Sequence, residues 1–322
     1  MRGLAAGLLL SFSLGCSGGP PEGGPGWGAG GSGDGVTDGA PGAAPDAGRS
    51  DGASAAGDAG AAHADAAGPI DAGGSTADAP SGALAVGTST LTLPIAGLSR
   101  KVTLHVPVAS GPVPLVIALH GDGDVVSNFL AASGLLADSD SEGFVLAAPQ
   151  GITRDVGIYE AGQVVQTVPQ VDWDPYNSLQ GDGTIVGDHN DDLPLLEAIR
   201  QELVASGSVD AKRVVVYGYS QGGYLAMRYG MSDAASVACA AVLAAATPLP
   251  GTKLIEQASR KTPVFLQIGT ADGAYTPAQQ TAQELQTNGN PVQLVAVQGA
   301  GHVPIPGDPR VPLDWCLQHP LP

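Results

Sequence analysis

Three glycine-bounded loops of this chain carry a hydroxyl, a carboxylate and an imidazole, at Ser220, Asp272 and His302. Together these groups suit nucleophilic acyl transfer, in which an alcohol attacks a carbonyl while a base takes its proton. A serine hydroxyl is a weak nucleophile at neutral pH. It needs exposure, a neighbouring base and donors for the oxyanion. Ser220 sits in Gly218-Tyr219-Ser220-Gln221-Gly222, after the apolar run Arg213-Val214-Val215-Val216-Tyr217 and before Gly223-Tyr224-Leu225-Ala226-Met227. The first run reads as a buried strand and the second as a helix. A serine on a sharp strand-to-helix turn is lifted above the sheet, and glycines two positions to either side leave room for that strained backbone.

The elements that must position these groups follow from apolar periodicity. Strands are expected at about 88–93, 100–107, 114–119, 143–148, 213–217, 237–245, 263–268 and 292–298. Helices are expected at about 125–138, 191–206, after the serine, and at 252–260, 276–288 and 311–319. Early strands are joined by short turns and later ones by helices. The class is therefore α/β: a mostly parallel sheet of about eight strands, antiparallel at its start, with helices on both faces. In such sheets functional groups gather at the carboxyl ends of parallel strands. His120-Gly121-Asp122-Gly123 follows strand 114–119, Gly269-Thr270-Ala271-Asp272-Gly273 follows strand 263–268, and Gly299-Ala300-Gly301-His302 follows strand 292–298. Glu256 is the competing carboxylate, but only Asp272 follows a strand in a glycine-bounded loop. His105 lies within a strand, His319 in the last helix and His63 in a low-complexity segment.

With serine, acid and base in that chain order, each after the expected strand, the domain resembles the α/β-hydrolase superfamily. Within it the chain is most similar to secreted esterases of the polyhydroxybutyrate depolymerase and feruloyl esterase group. The residues that carry this are Leu119-His120-Gly121, Gly143-Phe144-Val145, Asn190-Asp191-Asp192, Asp210-Ala211-Lys212-Arg213-Val214 and Gly218-Tyr219-Ser220-Gln221-Gly222-Gly223. Gln221 stands where many of those enzymes have Ala or Asn. The resemblance implies Ser220 as nucleophile, His302 as base, Asp272 as its orienting acid, and an oxyanion hole of the backbone N–H groups of Gln221 and Asp122. It gives His120 a structural task in the loop backbone. No cofactor or metal is implied.

Composition divides the 322 residues sharply. Residues 1–16 read as a signal peptide: Met1-Arg2, a short apolar run, then Leu14-Gly15-Cys16. That ending resembles a bacterial lipoprotein signal with Cys16 as the lipidated residue. Ser13 departs from the usual Leu, and Ser17, not Asp, favours the outer membrane. Residues 17–83 are almost wholly Gly, Ala, Pro, Ser, Thr and Asp, without apolar period, and are expected to form a disordered tether. Residues 84–322 form the expected catalytic domain. Of the net charge of −18, the first 83 residues carry −7, from two basic and nine acidic residues. The domain is acidic and has no basic stripe, which excludes nucleic acid and anionic membrane surfaces as partners. The membrane is reached only through a lipid on Cys16. Cys239 and Cys316 remain, either as a disulfide or as two buried thiols.

Residues 151–187 exceed an ordinary connection and read as one long irregular stretch. They hold Tyr159, Trp173 and Tyr176 in a chain with only fourteen aromatic residues. The rings form either a substrate-facing wall or, at Trp173, an anchor of the loop to the body. His189 with Asp182, Asp188, Asp191 and Asp192 has the donors of a hard-cation site, but the run also starts a helix, where its polar groups cap and complement the dipole. Capping is the reading adopted, with no metal.

The expected activity is an extracytoplasmic serine esterase acting through an acyl-enzyme. It would be an outer-membrane lipoprotein or secreted, and its substrate a polyhydroxyalkanoate-type, feruloyl or acetyl ester, possibly polymeric. The alternatives are a serine peptidase or acyltransferase on the same fold, or a catalytically silent surface-binding protein.

Overall fold

Period-two alternation puts apolar side chains on both faces of the central strands, so the sheet must be covered on both sides. On β3 (Val113–Leu119), Leu115, Ile117 and Leu119 enter one core cluster while Val116 and Ala118 enter the other. On β7 (Val209–Tyr219), Val214 and Val216 alternate in the same way with Val215, Tyr217 and Tyr219. Each fully buried Leu or Ile contributes on the order of 1.5–3 kcal/mol, which makes this double-faced alternation the main stabilisation of the fold. The computed structural model describes residues 82–160, 163–175, 192–249, 252–304 and 307–322. The expected signal segment and nearly all of the expected tether lie outside these.

Chain entry is a hairpin of β1 (Gly87–Ile95) and β2 (Leu98–Val106), turned at Ala96 and Gly97 with φ of 50° and 78°. Positive φ at both turn residues matches the strand twist. Then come β3, α1 (Val126–Ser133), α2 (Leu135–Glu142) and β4 (Val145–Pro149). After the inserted segment follow α3 (Asp192–Ala205), β7, α4 (Gln221–Ser232), β8 (Cys239–Leu243) and α5 (Leu254–Gln257). The chain closes with β9 (Val264–Gly269), α6 (Tyr275–Thr287), β10 (Val292–Val297) and α7 (Arg310–Leu317). The eight-stranded sheet runs β1-β2-β4-β3-β7-β8-β9-β10, with β1, β2 and β4 paired antiparallel and every later pairing parallel. Residues of α3, α4, α5 and α6 pack into the first core cluster, and residues of α1, α2 and α7 into the second.

The structure differs from the sequence reading in two places and decides a third that the sequence left open. The helix expected over 125–138 is two helices, because Gly134 at φ 70° ends the first and opens the second. The stretch expected to be irregular contains an antiparallel hairpin, β5 (Ile152–Glu160) with β6 (Gln163–Asp172), forming its own two-stranded sheet. The cysteine alternatives resolve to a disulfide: Cys239 on β8 and Cys316 on α7 are bonded, with Cα atoms 5.4 Å apart, which ties the last helix to the sheet.

Candidate active site

The turn that carries Ser220 follows from close approach of backbones. Ser220 follows the last residue of β7 with φ 52° and ψ −121°, a strained conformation for a residue with a Cβ. A Cβ on Gly218 would lie 2.1 Å from the carbonyl oxygen of Gly222, and one on Gly222 would lie 2.3 Å from that of His120. Both positions therefore require glycine for space. The Ser220 N–H donates to Leu243 O on β8 at 2.9 Å, and its carbonyl accepts the Tyr224 N–H at 3.0 Å, starting α4.

Asp272 and His302 are held by two loops stitched to each other. Thr270 N–H donates to Val297 O at 3.0 Å, Ala271 N–H to Ala300 O at 2.9 Å, and Gly299 N–H to Thr270 Oγ1 at 2.8 Å. A Cβ on Gly269 would stand 2.1 Å from Ala300 O, so the loops touch at that point. The carboxyl of Asp272 is buried; its Oδ1 accepts the Ala274 N–H at 2.8 Å and its Oδ2 accepts His302 Nδ1–H at 2.8 Å. With Nδ1–H donated to the carboxylate, Nε2 is left to accept from the Ser220 hydroxyl, 2.8 Å away. The Tyr219 ring packs against the imidazole, centroids 5.4 Å apart. Hydroxyl, imidazole and carboxylate thus form one hydrogen-bonded line.

The loop after β3 lies beside the serine: a Cβ on Gly121 would come within 3.5 Å of Ser220 Cβ. Neither the Asp122 nor the Gln221 backbone N–H has a hydrogen-bond partner among the described residues. Both are available as donors. His120 is fully buried; it donates from Nδ1 to Gly121 O at 2.7 Å and accepts at Nε2 from the Gly151 N–H at 3.0 Å and Gln150 Nε2 at 3.1 Å. Burial holds its pKa below the ordinary value, which suits an imidazole that must stay neutral to accept.

Of the two roles the sequence left open for Trp173, substrate wall or anchor, the structure takes the anchor. Trp173 is 1% exposed, and its indole N–H donates to His120 O at 3.0 Å. A ring so buried offers no wall to a substrate; it anchors the end of the hairpin to the loop after β3. Tyr159 falls on β5, but its side chain, like Tyr176 and Cys16, lies outside the described residues. Of the acidic run near α3, Asp192 is fully buried with Oδ1 on Arg100 at 2.8 Å and Oδ2 on Arg154 at 3.1 Å and on the Asp174 N–H at 2.8 Å. Asp182, Asp188, His189 and Asp191 lie outside the described residues, among which no cluster of metal-binding side chains occurs. The sequence reading missed the side chains of Gln150, Gln170, Asp172 and Gln221, which connect this region. Only the position of Gln150, directly after strand β4, was a signal.

A family model described as phospholipase/carboxylesterase matches residues 107–306, a span that includes Asp122, Ser220, Asp272 and His302. A curated relative named as an esterase, NocK of Nocardia uniformis subsp. tsuyamanensis, is 27% identical over 182 residues, 55% of this chain and 46% of that protein. The chain thus spans about half the length of the curated relative it matches. Among solved structures, a thermostable esterase superposes with a TM-score of 0.54 at 16% identity, over 72% of this chain and 63% of that one. The S-formylglutathione hydrolase of Agrobacterium tumefaciens gives 0.53 at 14%, over 73% and 97%. The fluorophosphonate-binding serine hydrolase F of Staphylococcus aureus gives 0.52 at 14%, over 72% and 99%. At such identities the likeness is one of fold, and the fold is that of the α/β-hydrolases.

Proposed function

Because the chain belongs to the phospholipase/carboxylesterase family, we propose that it is a serine esterase that works through an acyl-enzyme. The observation that carries this is the unbroken line from Ser220 Oγ through His302 to Asp272, with the serine on a strained turn. Ser220 attacks the acyl carbon as His302 Nε2 takes the hydroxyl proton. Asp272 holds the imidazole tautomer and stabilises the imidazolium. The N–H groups of Asp122 and Gln221 receive the negative charge that develops on the carbonyl oxygen. The leaving alcohol takes the proton from His302. Water, deprotonated by the same imidazole, then attacks the acyl carbon, and His302 returns that proton to Ser220 Oγ as the ester bond to the serine breaks and the acid leaves.

In this reading the enzyme works outside the cytoplasm, held by a lipid on Cys16 or secreted. Support comes from the signal-like N-terminus and from the Cys239–Cys316 disulfide, a bond that persists in oxidising compartments. The substrate class is a carboxylic ester of the polyhydroxyalkanoate, feruloyl or acetyl kind.

A fluorophosphonate probe tests the activity. Labelling of the folded protein that disappears in Ser220→Ala, together with turnover of p-nitrophenyl acetate, is the expected result. No Ser220-dependent labelling would leave a silent binding protein, and faster turnover of amides or transfer to added alcohols would leave a peptidase or an acyltransferase. A panel of hydroxybutyrate, feruloyl and acetyl-sugar esters then ranks the substrates.

A further inference from the structure

Resting on that esterase reading, we propose that the Gln221 side chain is a positioning residue that ties the nucleophile turn to the β5–β6 hairpin, so that one strand end sets both walls of the oxyanion hole. Gln221 gives its backbone N–H to the hole, while its side chain reaches the end of β6. Its Oε1 accepts the Trp173 N–H at 2.9 Å, and its Nε2 donates to Asp172 Oδ1. The same short segment holds the opposite wall. Val171 O accepts the Gly123 N–H at 2.9 Å, Gln170 Nε2 donates to Asp122 Oδ1 at 2.5 Å, and Trp173 Nε1 donates to His120 O at 3.0 Å. Five hydrogen bonds from four consecutive residues, 170 to 173, therefore fix the Asp122 loop and the first residue of α4 against each other.

The chemistry demands such a brace. An oxyanion hole works only if its donors already stand where charge will develop. One donor here belongs to a loop and the other to the first turn of a helix, two pieces of chain about a hundred residues apart. Glutamine is the residue type the contact requires, since it offers an acceptor and a donor on one amide. Glutamate would keep the acceptor for Trp173 but set a second carboxylate against Asp172. Alanine would reach neither.

Polarity exchange provides the test. Wild type, Gln221→Ala, Gln221→Glu and the double variant Gln221→Glu/Asp172→Asn are purified, their active sites titrated with the fluorophosphonate, and kcat and KM measured on p-nitrophenyl acetate per titrated site. Deleting a whole oxyanion donor costs about 10²–10³ in rate. Misplacing one is expected to lower kcat about tenfold or more, with KM changed less than about threefold. The double variant is expected to regain most of the loss, because the asparagine N–H then donates to the glutamate carboxylate. A purely structural role would alter the titratable fraction or the thermal midpoint and leave kcat per site unchanged. An Ala variant with full kcat per site, or a Glu variant that the second substitution does not restore, overturns the positioning role. Should the Ala variant fail to fold, Gln221→Met keeps the length without the polar atoms and is judged by the same outcomes. Absence of Ser220-dependent labelling in the wild type overturns the esterase reading itself, and with it this inference.

Discussion

Asp272→Asn should disable the enzyme by turning one amide the wrong way. In the native site both carboxylate oxygens are occupied, Oδ1 by the Ala274 N–H and Oδ2 by His302 Nδ1–H, each at 2.8 Å. Asparagine keeps the shape but has one oxygen for two donors. If that oxygen faces His302, the amide NH₂ opposes the buried Ala274 N–H, and an unsatisfied buried donor costs about 1–3 kcal/mol. The oxygen therefore turns to Ala274 and the NH₂ faces Nδ1. The imidazole must then accept at Nδ1 and carry its proton on Nε2, where it opposes the Ser220 hydroxyl that it should deprotonate. This preference alone corresponds to a loss of roughly 5–150-fold, since about 1.4 kcal/mol is a factor of ten. Loss of the negative charge beside the developing imidazolium adds to it, and the combined effect in a comparable triad is about 10⁴, or roughly 5.5 kcal/mol in the barrier. The assay is kcat on p-nitrophenyl acetate, with thermal unfolding in parallel. The unfolding midpoint should scarcely move, because every donor next to residue 272 keeps a partner. An Asp272→Asn enzyme within tenfold of the parent, at equal stability, would refute the orientation argument and remove Asp272 as the acid.

Two other outcomes follow from the frame around the site. The Cys239–Cys316 bond closes a separation of 77 residues, and loop-closure entropy for that length gives ~4.5 kcal/mol of stabilisation. Urea unfolding with and without reductant measures it, and a difference below about 1 kcal/mol would contradict the estimate. His120 has an ordinary value of 6.5 and is held lower by burial. The unfolded chain therefore binds its proton first as pH falls, and the stability from this group is complete above pH 6.5 and is lost as pH drops through the lowered folded value. Thermal midpoints should decline with acidification over that window, and less steeply in His120→Asn; equal slopes would discount the buried imidazole.

The sheet and the three loops were legible because their causes are local. A β-branched run with period two reads as a buried strand, and the glycines of the serine turn stand where a side chain has no room, since a Cβ on Gly218 would lie 2.1 Å from the carbonyl oxygen of Gly222, four residues on. The hairpin was harder to see. Its second strand contains Pro169, a residue that demotes a run as a candidate strand, and no glycine pair marks its turn. Trp173 was ambiguous for a physical reason: an anchor under the oxyanion loop and a wall beside the substrate both require a large ring near the site. Burial decides between them, and burial is a tertiary property. The bond from Gln221 to Asp172 spans 49 positions without a periodic signature. Cysteine pairing likewise depends on a Cα separation that no spacing in the chain records.

The two halves of the site are held by different means, and that has a consequence for how its chemistry is divided. Acid and base sit on loops joined mainly by backbone hydrogen bonds, Thr270 to Val297 and Ala271 to Ala300, with Thr270 Oγ1 on the Gly299 N–H as the side-chain exception. Backbone bonds are indifferent to most substitutions, so the proton relay stands apart from changes elsewhere. The loop after β3 and the start of α4 depend instead on side chains: Gln170 on the inserted hairpin and Trp173 just after it reach Asp122 and His120, and Gln221 reaches back to the end of the hairpin. Arg154 on that hairpin and Asp174 just after it share the buried Asp192 carboxylate with Arg100. Removing one partner of a buried ion pair costs about 3–5 kcal/mol, enough to loosen the hairpin base without touching the triad. On the proposed acyl-enzyme reading, sequence change in the insertion therefore acts first on the stabilisation of the tetrahedral intermediate and only secondarily on proton transfer.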